Sequence, residues 1–584
     1  MNEHHLSVSL LVRQAARNLH RLEVLTANPI WTDMSCRWYF WRNRRMMAMT
    51  PDEAAAWLPA LAFAVSCEKD ASVLAELARQ PLPEPLPPEA LPWRAALIRN
   101  WERQRAATSW GKTVRLAALV RLDRRAERLP EWLREARRAW DLEWYDRHLR
   151  LAALAGWRPR PGDASPHGDK AEAAQAWIRF WEKRYRTPGS ELDGLIAAVT
   201  LLHLAEAGWL PAGLSPERLR EEFRQRVQRY PVSYDERSAL RMLLASVPAD
   251  ASAPEQRQQD IMKWLELTRK DVDWKKREAV WDLLATWQRE GVLERSGRGR
   301  LPEPPRLLPD LARALEWEWD DNVLLAMAGY VPGLAEVRAH PEAMRTIIAR
   351  WEALSRGAFF GGVRQAAWVA RWNFLRAGVL TAEEQGRFDA DYVEAIRAEN
   401  DRDVLLALAQ IRPPGPFPLR DWSCRLADKD ARRRLAAGLA IHRWLVEVME
   451  GVSGEWRVAS GSSLLATRYS LLAITRRQMR QALRRAGQEV TGTVAPFVNL
   501  PPEVWPDFRR LREIETALAA GQVPPPPDAG KGKRKRVGHL ATLARLPESH
   551  PRTGLTDSTG QTTGRTAGSK PPARHPFPET GRHE

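Results

Sequence analysis

The string Ala106-Ala107-Thr108-Ser109-Trp110-Gly111-Lys112-Thr113 ends in the Gly-Lys-Thr of a phosphate loop. Such a loop aims backbone N–H groups at phosphate between a buried strand and a helix. Here Ala106 stands where the first glycine belongs, and the preceding WERQRAA has helical character. No later strand ends in an Asp that would hold magnesium, so the string reads as the terminus of a helix. The acids of Glu316-Trp317-Glu318-Trp319-Asp320-Asp321 are close enough to share a metal, but the lysine and strands of a metal-dependent nuclease are missing. The 12 His are scattered, with no HExxH, no other metal spacing and no GxSxG elbow. Cys36, Cys67 and Cys424 lie too far apart for a disulfide scaffold or a cysteine metal centre. These absences point to a non-enzymatic protein, with no metal and no cofactor.

What the residue types do offer is a grip on a polyanion. The chain has 90 Lys+Arg against 73 Asp+Glu, a net +17, and 27 Trp against 12 Phe and 8 Tyr. Aromatic rings stack on unpaired bases and Arg holds phosphates, so interleaving them suits single-stranded nucleic acid. The densest case is Arg37, Trp38, Trp41, Arg42, Arg44 and Arg45. Similar mixtures occur at 177–186 and 368–372. Most of the Trp excess is expected to fill helix–helix contacts, with Arg lying over the ring edges. Later, Arg476, Arg477, Arg480 and Arg484 form one face of a basic amphipathic helix with no acid among them. Lys531, Lys533, Arg534, Lys535 and Arg536 form a basic clamp that contacts any polyanion without sequence preference.

The elements that must carry these residues read as helices. Apolar residues recur at helical spacing, as in Trp93, Leu97 and Trp101, or Leu129, Leu133, Ala136, Trp140 and Trp144 with Arg opposite. Alternating strand patterns are absent apart from two weak stretches near 458 and 491. Several helix ends share a glycine followed by two residues, at least one of them apolar, at Gly208, Gly291, Gly329 and Gly378. This is the sequence form of a left-handed glycine cap. Starts follow closely at Ser215-Pro216-Glu217 and Thr381-Ala382-Glu383. The expected fold is all-α: helical hairpins stacked as an irregular α-solenoid or a multi-domain helical array. The uneven glycine intervals give no fixed repeat period. Proline-rich breaks divide the chain into 1–80, 93–247, 256–305, 309–410, 419–520 and a basic tail, 521–584, too poor in apolar residues to fold. The tail carries 11 Lys+Arg and 5 Asp+Glu.

One stretch resembles a known family. Residues 256–300 end in Leu284, Trp287, Gly291, Val292 and Leu293, similar to the close of a recognition helix in winged helix-turn-helix domains. The resemblance implies that Lys275, Lys276 and Arg277 open a recognition helix and that Arg298 and Arg300 form the wing tip. The turn RKDVD is longer than that pattern, and LPEPP follows where a strand should return, so an ordinary helical hairpin is the other reading. Arg13 and His20 have the R-x6-H spacing of the all-helical HEPN ribonucleases, but they sit on the first helix, which is the wrong place for that pair.

The expectation is a helical, nucleic-acid-associated protein, a subunit of a larger complex, that holds DNA or RNA phosphates through Arg-rich helix faces. The alternative is an α-solenoid scaffold whose basic surface meets an acidic protein partner. The first residues do not read as an export signal, no apolar run is long enough to span a membrane, and cysteine is scarce, which together suggest a cytoplasmic protein.

Overall fold

The computed structural model describes residues 8–27, 29–82, 86–123, 125–159, 169–210, 214–234, 236–247, 254–289, 307–459 and 507–524. Among them the fold is all-α and contains no strand. The helices in the first part are α1 (Val8–Thr26), α2 (Met34–Met46), α3 (Pro51–Ala55), α4 (Leu58–Cys67), α5 (Ala71–Ala78), α6 (Leu91–Arg103), α7 (Ser109–Leu122), α8 (Leu129–Trp140) and α9 (Trp144–Ala155). There follow α10 (Asp169–Arg186), α11 (Glu191–Glu206), α12 (Pro216–Arg229), α13 (Arg237–Ser246), α14 (Pro254–Leu265), α15 (Trp274–Arg289), α16 (Leu307–Trp317) and α17 (Asp321–Ala328). The last are α18 (Leu334–Ala339), α19 (Pro341–Gly357), α20 (Gly361–Arg376), α21 (Ala382–Ala398), α22 (Arg402–Leu408), α23 (Leu419–Arg425), α24 (Ala431–Ala459) and α25 (Phe508–Ala519). All described residues belong to one compact unit, and the proline-rich breaks fall inside it.

The packing has a definite order. α5 packs on α7, α7 on α9, α9 on α13, α13 on α15, α15 on α17, α17 on α20 and α20 on α22. α22 then packs on α2, and α2 on α5, so the succession returns to its start. An open stack of hairpins would keep its first and last helices apart; here α1 lies against both α24 and α25. Arg510 of α25 joins Glu23 of α1 (2.6 Å), and Arg432 of α24 joins Asp33 at the start of α2. Helices flanked on both sides are apolar all round, as burial on every face requires: Val323–Ala328 of α17 and Val404–Leu408 of α22 are each continuously buried.

Three copies of one local device align these helices. Arg37, Arg277 and Arg364 stand in the first turns of α2, α15 and α20. Each turns one guanidinium nitrogen back onto carbonyls before its helix, as in Arg364 Nη1 to Ala358 O (2.7 Å) and Phe359 O (2.9 Å). Each also forms a two-nitrogen ion pair with a Glu just before the next inner helix: Arg37 with Glu68, Arg277 with Glu318, Arg364 with Glu399. The Glu accepts from the next two backbone N–H groups, and the Asp two residues on caps the helix that follows, at Asp70, Asp320 and Asp401. The carboxylates of 316–321 that the sequence offers for chemistry are therefore helix-start fixtures in part. Arg434 repeats the first half of the device, donating to Asp428 O and Lys429 O. Because each Arg and its Glu lie at helix starts, α2 and α5, α15 and α17, and α20 and α22 run parallel.

The expected caps form at Gly208 and Gly378, both at positive φ. Trp209 N donates to Leu204 O (2.9 Å) and Gly208 N to Ala205 O (3.0 Å), the paired bonds of a Schellman end; Val379 and Gly378 repeat them on Phe374 and Leu375. Gly329 differs, with φ −73, and Gly291 lies outside the described residues. Ser215 caps α12, and Thr381 caps α21 in a reciprocal box with Glu384. Thr108 caps α7 by accepting from Gly111 N, so the Gly-Lys-Thr string lies at a helix terminus, its N-terminal one.

Candidate nucleic-acid interface

The Arg/Trp cluster of 37–45 forms α2, at the point where the helix succession closes. Arg37 is held by its clamp. Trp41 is fully buried, and Trp281 and Trp368 occupy the same place one turn after Arg277 and Arg364. Trp38 is half-buried under the Arg42 guanidinium, 4.6 Å from its ring centre, while Arg42 donates to Asn322 of α17 (2.8 Å). Arg44 is buried over Trp57 at 4.2 Å, and burial holds its pKa well below the usual range. Arg45 pairs with Glu76 (3.1 Å) and reaches Asp282 of α15 (3.3 Å). Asn373 of α20 closes the end of α2, donating to Met46 O and accepting from Ala48 N. The four guanidiniums of this cluster are therefore engaged within the fold, and only parts of Arg37 and Trp38 reach solvent.

The segment resembling a recognition helix is placed similarly. α15 is buried from Glu278 to Ala285 between α13 and α17. Lys275 donates to Val232 O (2.9 Å) and Lys276 to Gln228 O (2.9 Å), while Arg277 is the clamp to Glu318. Burial lowers the Lys276 pKa. A helix so enclosed has no free side for a groove. Arg298, Arg300, Arg476, Arg477, Arg480, Arg484, Lys531, Lys533, Arg534, Lys535 and Arg536 lie outside the described residues. Two stretches outside them hold much of the charge: six Arg against two Glu in 460–506, and 11 Lys+Arg against five acids from 525 on, together ten of the 17 net charges.

The described residues present free cations elsewhere. α8 and α10 pack together and both turn Arg outward: Arg134, Arg137 and Arg138 on α8, Arg179, Lys183 and Arg186 on α10. Arg138 and Arg186 have i,i+3 and i,i+4 carboxylates, Glu135 at 2.8 Å and Glu182 at 4.0 Å. Arg134, Arg137, Arg179 and Lys183 have no ion-pair partner among the described residues. Trp140 joins the two helices to α9, with Arg184 at 4.2 Å and Arg147 at 5.1 Å over its ring. Directly after it, Trp144 and Tyr145 open α9 with exposed rings, and Asp141 and Glu143 in the turn mark the edge of the patch. Residue types that suit phosphate contact and base stacking thus occur exposed on three helices, with α8 packed against both α9 and α10. Sequence periodicity puts Arg opposite the apolar face of 129–144 and flags 177–186, but nothing in it distinguishes these exposed Arg from the enclosed ones of α2.

Other exposed aromatics sit among acids. Trp319, Phe359 and Phe360 are exposed at the starts of α17 and α20, beside Asp320, Asp321 and Asp401. The Arg350 guanidinium lies over the Trp319 ring, 4.7 Å from its centre.

A Ser, His and Asp also converge. His148 Nε2 lies 2.9 Å from Ser190 Oγ and 3.3 Å from Asp193 Oδ1. In a nucleophilic triad the carboxylate orients the other ring nitrogen. Here both oxygens share one nitrogen, and Ser190 Oγ accepts from Asp193 N as the cap of α11. The cluster is a helix start, not a triad. Arg13 faces Glu515, and His20 is buried against His442 with ring centres 5.6 Å apart, so the R-x6-H pair is not assembled. No group of three or more metal-ligating side chains occurs among the described residues, and no helix there is long and apolar enough to cross a membrane. No protein family model matches the chain, and no curated protein matches it.

Proposed function

We propose that the protein binds single-stranded nucleic acid through the α8–α10 face, with the basic segments 460–506 and 531–536 as auxiliary contacts, as a non-enzymatic subunit of a larger complex. The observation that carries this reading is the set of unpaired cations on α8 and α10 beside the exposed rings of Trp144 and Tyr145. Cations alone would serve an acidic protein partner equally, and that is the competing scaffold reading. The rings beside the cations favour nucleic acid, because unpaired bases stack on aromatic rings next to phosphates held by Arg. Filter binding of a generic oligonucleotide at low salt tests the proposal. Affinity should fall steeply with salt as counterions are released, and W144A should cost about 1–3 kcal/mol of single-strand binding. Truncation at Gly521 should weaken binding and leave most of it. Complete loss on truncation would place binding in the tail alone, and no retention of any nucleic acid would exclude the function.

A further inference from the structure

The inner ends of α2, α5, α13 and α15 share a chain of alternating charges. Arg79 Nη2 and Arg241 Nη2 both donate to Asp282 Oδ2, at 2.7 and 2.6 Å. Arg241 and Arg237 share Glu278, each at 2.7 Å. Arg45 bridges Asp282 and Glu76, and Arg42 stands beside this group on Asn322. Five guanidiniums therefore surround three carboxylates. A buried surplus of like charge is costly unless something neutralises it.

The surplus also has a direction. The carboxylates form the floor: the Glu278, Asp282 and Glu76 side chains are 1%, 5% and 7% exposed. The cations are the more exposed members: Arg79 is 25% exposed, Arg237 17% and Arg241 14%. The carboxylates orient these guanidiniums, with Arg237 also held over the Trp274 ring at 4.5 Å, and guanidiniums so fixed suit the several oxygens of a tetrahedral oxyanion. The same crowding shows in Arg79, whose pKa burial and the neighbouring Arg241 and Arg45 bring down to about 9.

We infer that Arg79, Arg241 and Arg237 form a binding site for a phosphate group, with Asp282 and Glu278 as the positioning carboxylates. The site goes beyond the proposed nucleic-acid face and uses none of its residues. The phosphate could come from a free phosphorylated small molecule or from the end of a nucleic-acid strand. Both present the same chemistry.

The test uses the full chain and calorimetric titration with inorganic phosphate and pyrophosphate, with chloride at matched ionic strength as control. Saturable binding and an upward shift in Tm are expected with both phosphates and not with chloride. Arg79→Gln and Arg237→Gln leave every carboxylate at least one Arg partner, so both variants should fold, as far-ultraviolet circular dichroism will verify. Each should weaken phosphate binding by about tenfold or more, the effect of losing one charged donor. Competition by a 5′-phosphorylated oligonucleotide but not by its 5′-hydroxyl form identifies the strand end as the source. Failure of both to compete identifies a small molecule. Charge reversal on α8 and α10 should leave phosphate binding intact, which separates this site from the nucleic-acid face. Absence of saturable binding, or unchanged binding in both Gln variants, overturns the inference.

Discussion

Helix α2 and the α8–α10 face are built from the same residue types and do opposite things. Both interleave Arg with Trp at helical spacing. In α2 the guanidiniums of Arg37, Arg42 and Arg45 are consumed by Glu68, Glu76, Asp282 and Asn322, supplied from 31 to 280 residues away, and Arg44 is buried over Trp57. On α8 and α10, four cations meet no partner and face solvent. The difference lies in whether distant segments bring carboxylates to meet the Arg, which no local window of sequence records. An Arg-rich, Trp-rich stretch is thus as good a description of a structural hub as of a nucleic-acid surface.

Perturbing the hub should give the largest effect. Asp282→Ala leaves Arg45, Arg79 and Arg241 around a vacated anion, and removal of one partner from a buried network costs about 3–5 kcal/mol. Thermal and denaturant unfolding should show this loss, while nucleic-acid affinity per folded molecule stays unchanged. Loss of binding without loss of stability would reverse the roles assigned to the two regions.

The clamps come next. Glu399→Ala removes the acceptor for Arg364 and for two backbone N–H groups, and should destabilise by about 1–3 kcal/mol. A change within about 0.5 kcal/mol would show that the clamp contributes no more than an exposed ion pair.

Acid should weaken the fold outside both regions of the comparison, through three buried histidines on α1, α11 and α24. Burial brings His20 and His203 down to about 4 and holds His442 well below the ordinary value. Each is neutral in the fold but can charge when the chain unfolds, so unfolding takes up protons. Their contribution is fully present above about pH 6.5 and is lost as pH falls from there toward 4. Melting temperature measured across that range should fall with pH, and His20→Phe should flatten part of the slope.

The smallest effect belongs to a cap. Gly378 sits at φ +68 with open space around it, so Gly378→Ala should cost about 1 kcal/mol from backbone strain alone. Equal stability would show that the end of α20 relaxes.

Much of the fold is legible in the sequence. The all-helical class follows from apolar spacing, and the glycine ends at 208 and 378 and the starts at 215 and 381 form as read. Closure of the helix succession is not legible, because it rests on pairs such as Arg432 with Asp33 and Arg510 with Glu23, which span most of the chain. The repeated clamp is present as Glu68-x-Asp70, Glu318-x-Asp320 and Glu399-x-Asp401, each followed by Val-Leu at the same offset. It escapes a search for periods because its Arg–Glu separations are 31, 41 and 35. Site residues are least legible: Arg37 and Arg179 look alike until the helices are packed.

Exposed cations on α8 and α10, not the Arg of α2, are proposed to hold nucleic acid. The direct test is single-strand affinity against salt for the wild type and for R134E/R137E/R179E/K183E, with Tm measured alongside. The expected result is an unchanged Tm, weaker binding, and a log–log salt slope shallower by about 0.7 for each phosphate no longer neutralised. Affinity and slope equal to the wild type, with the protein folded, would contradict it.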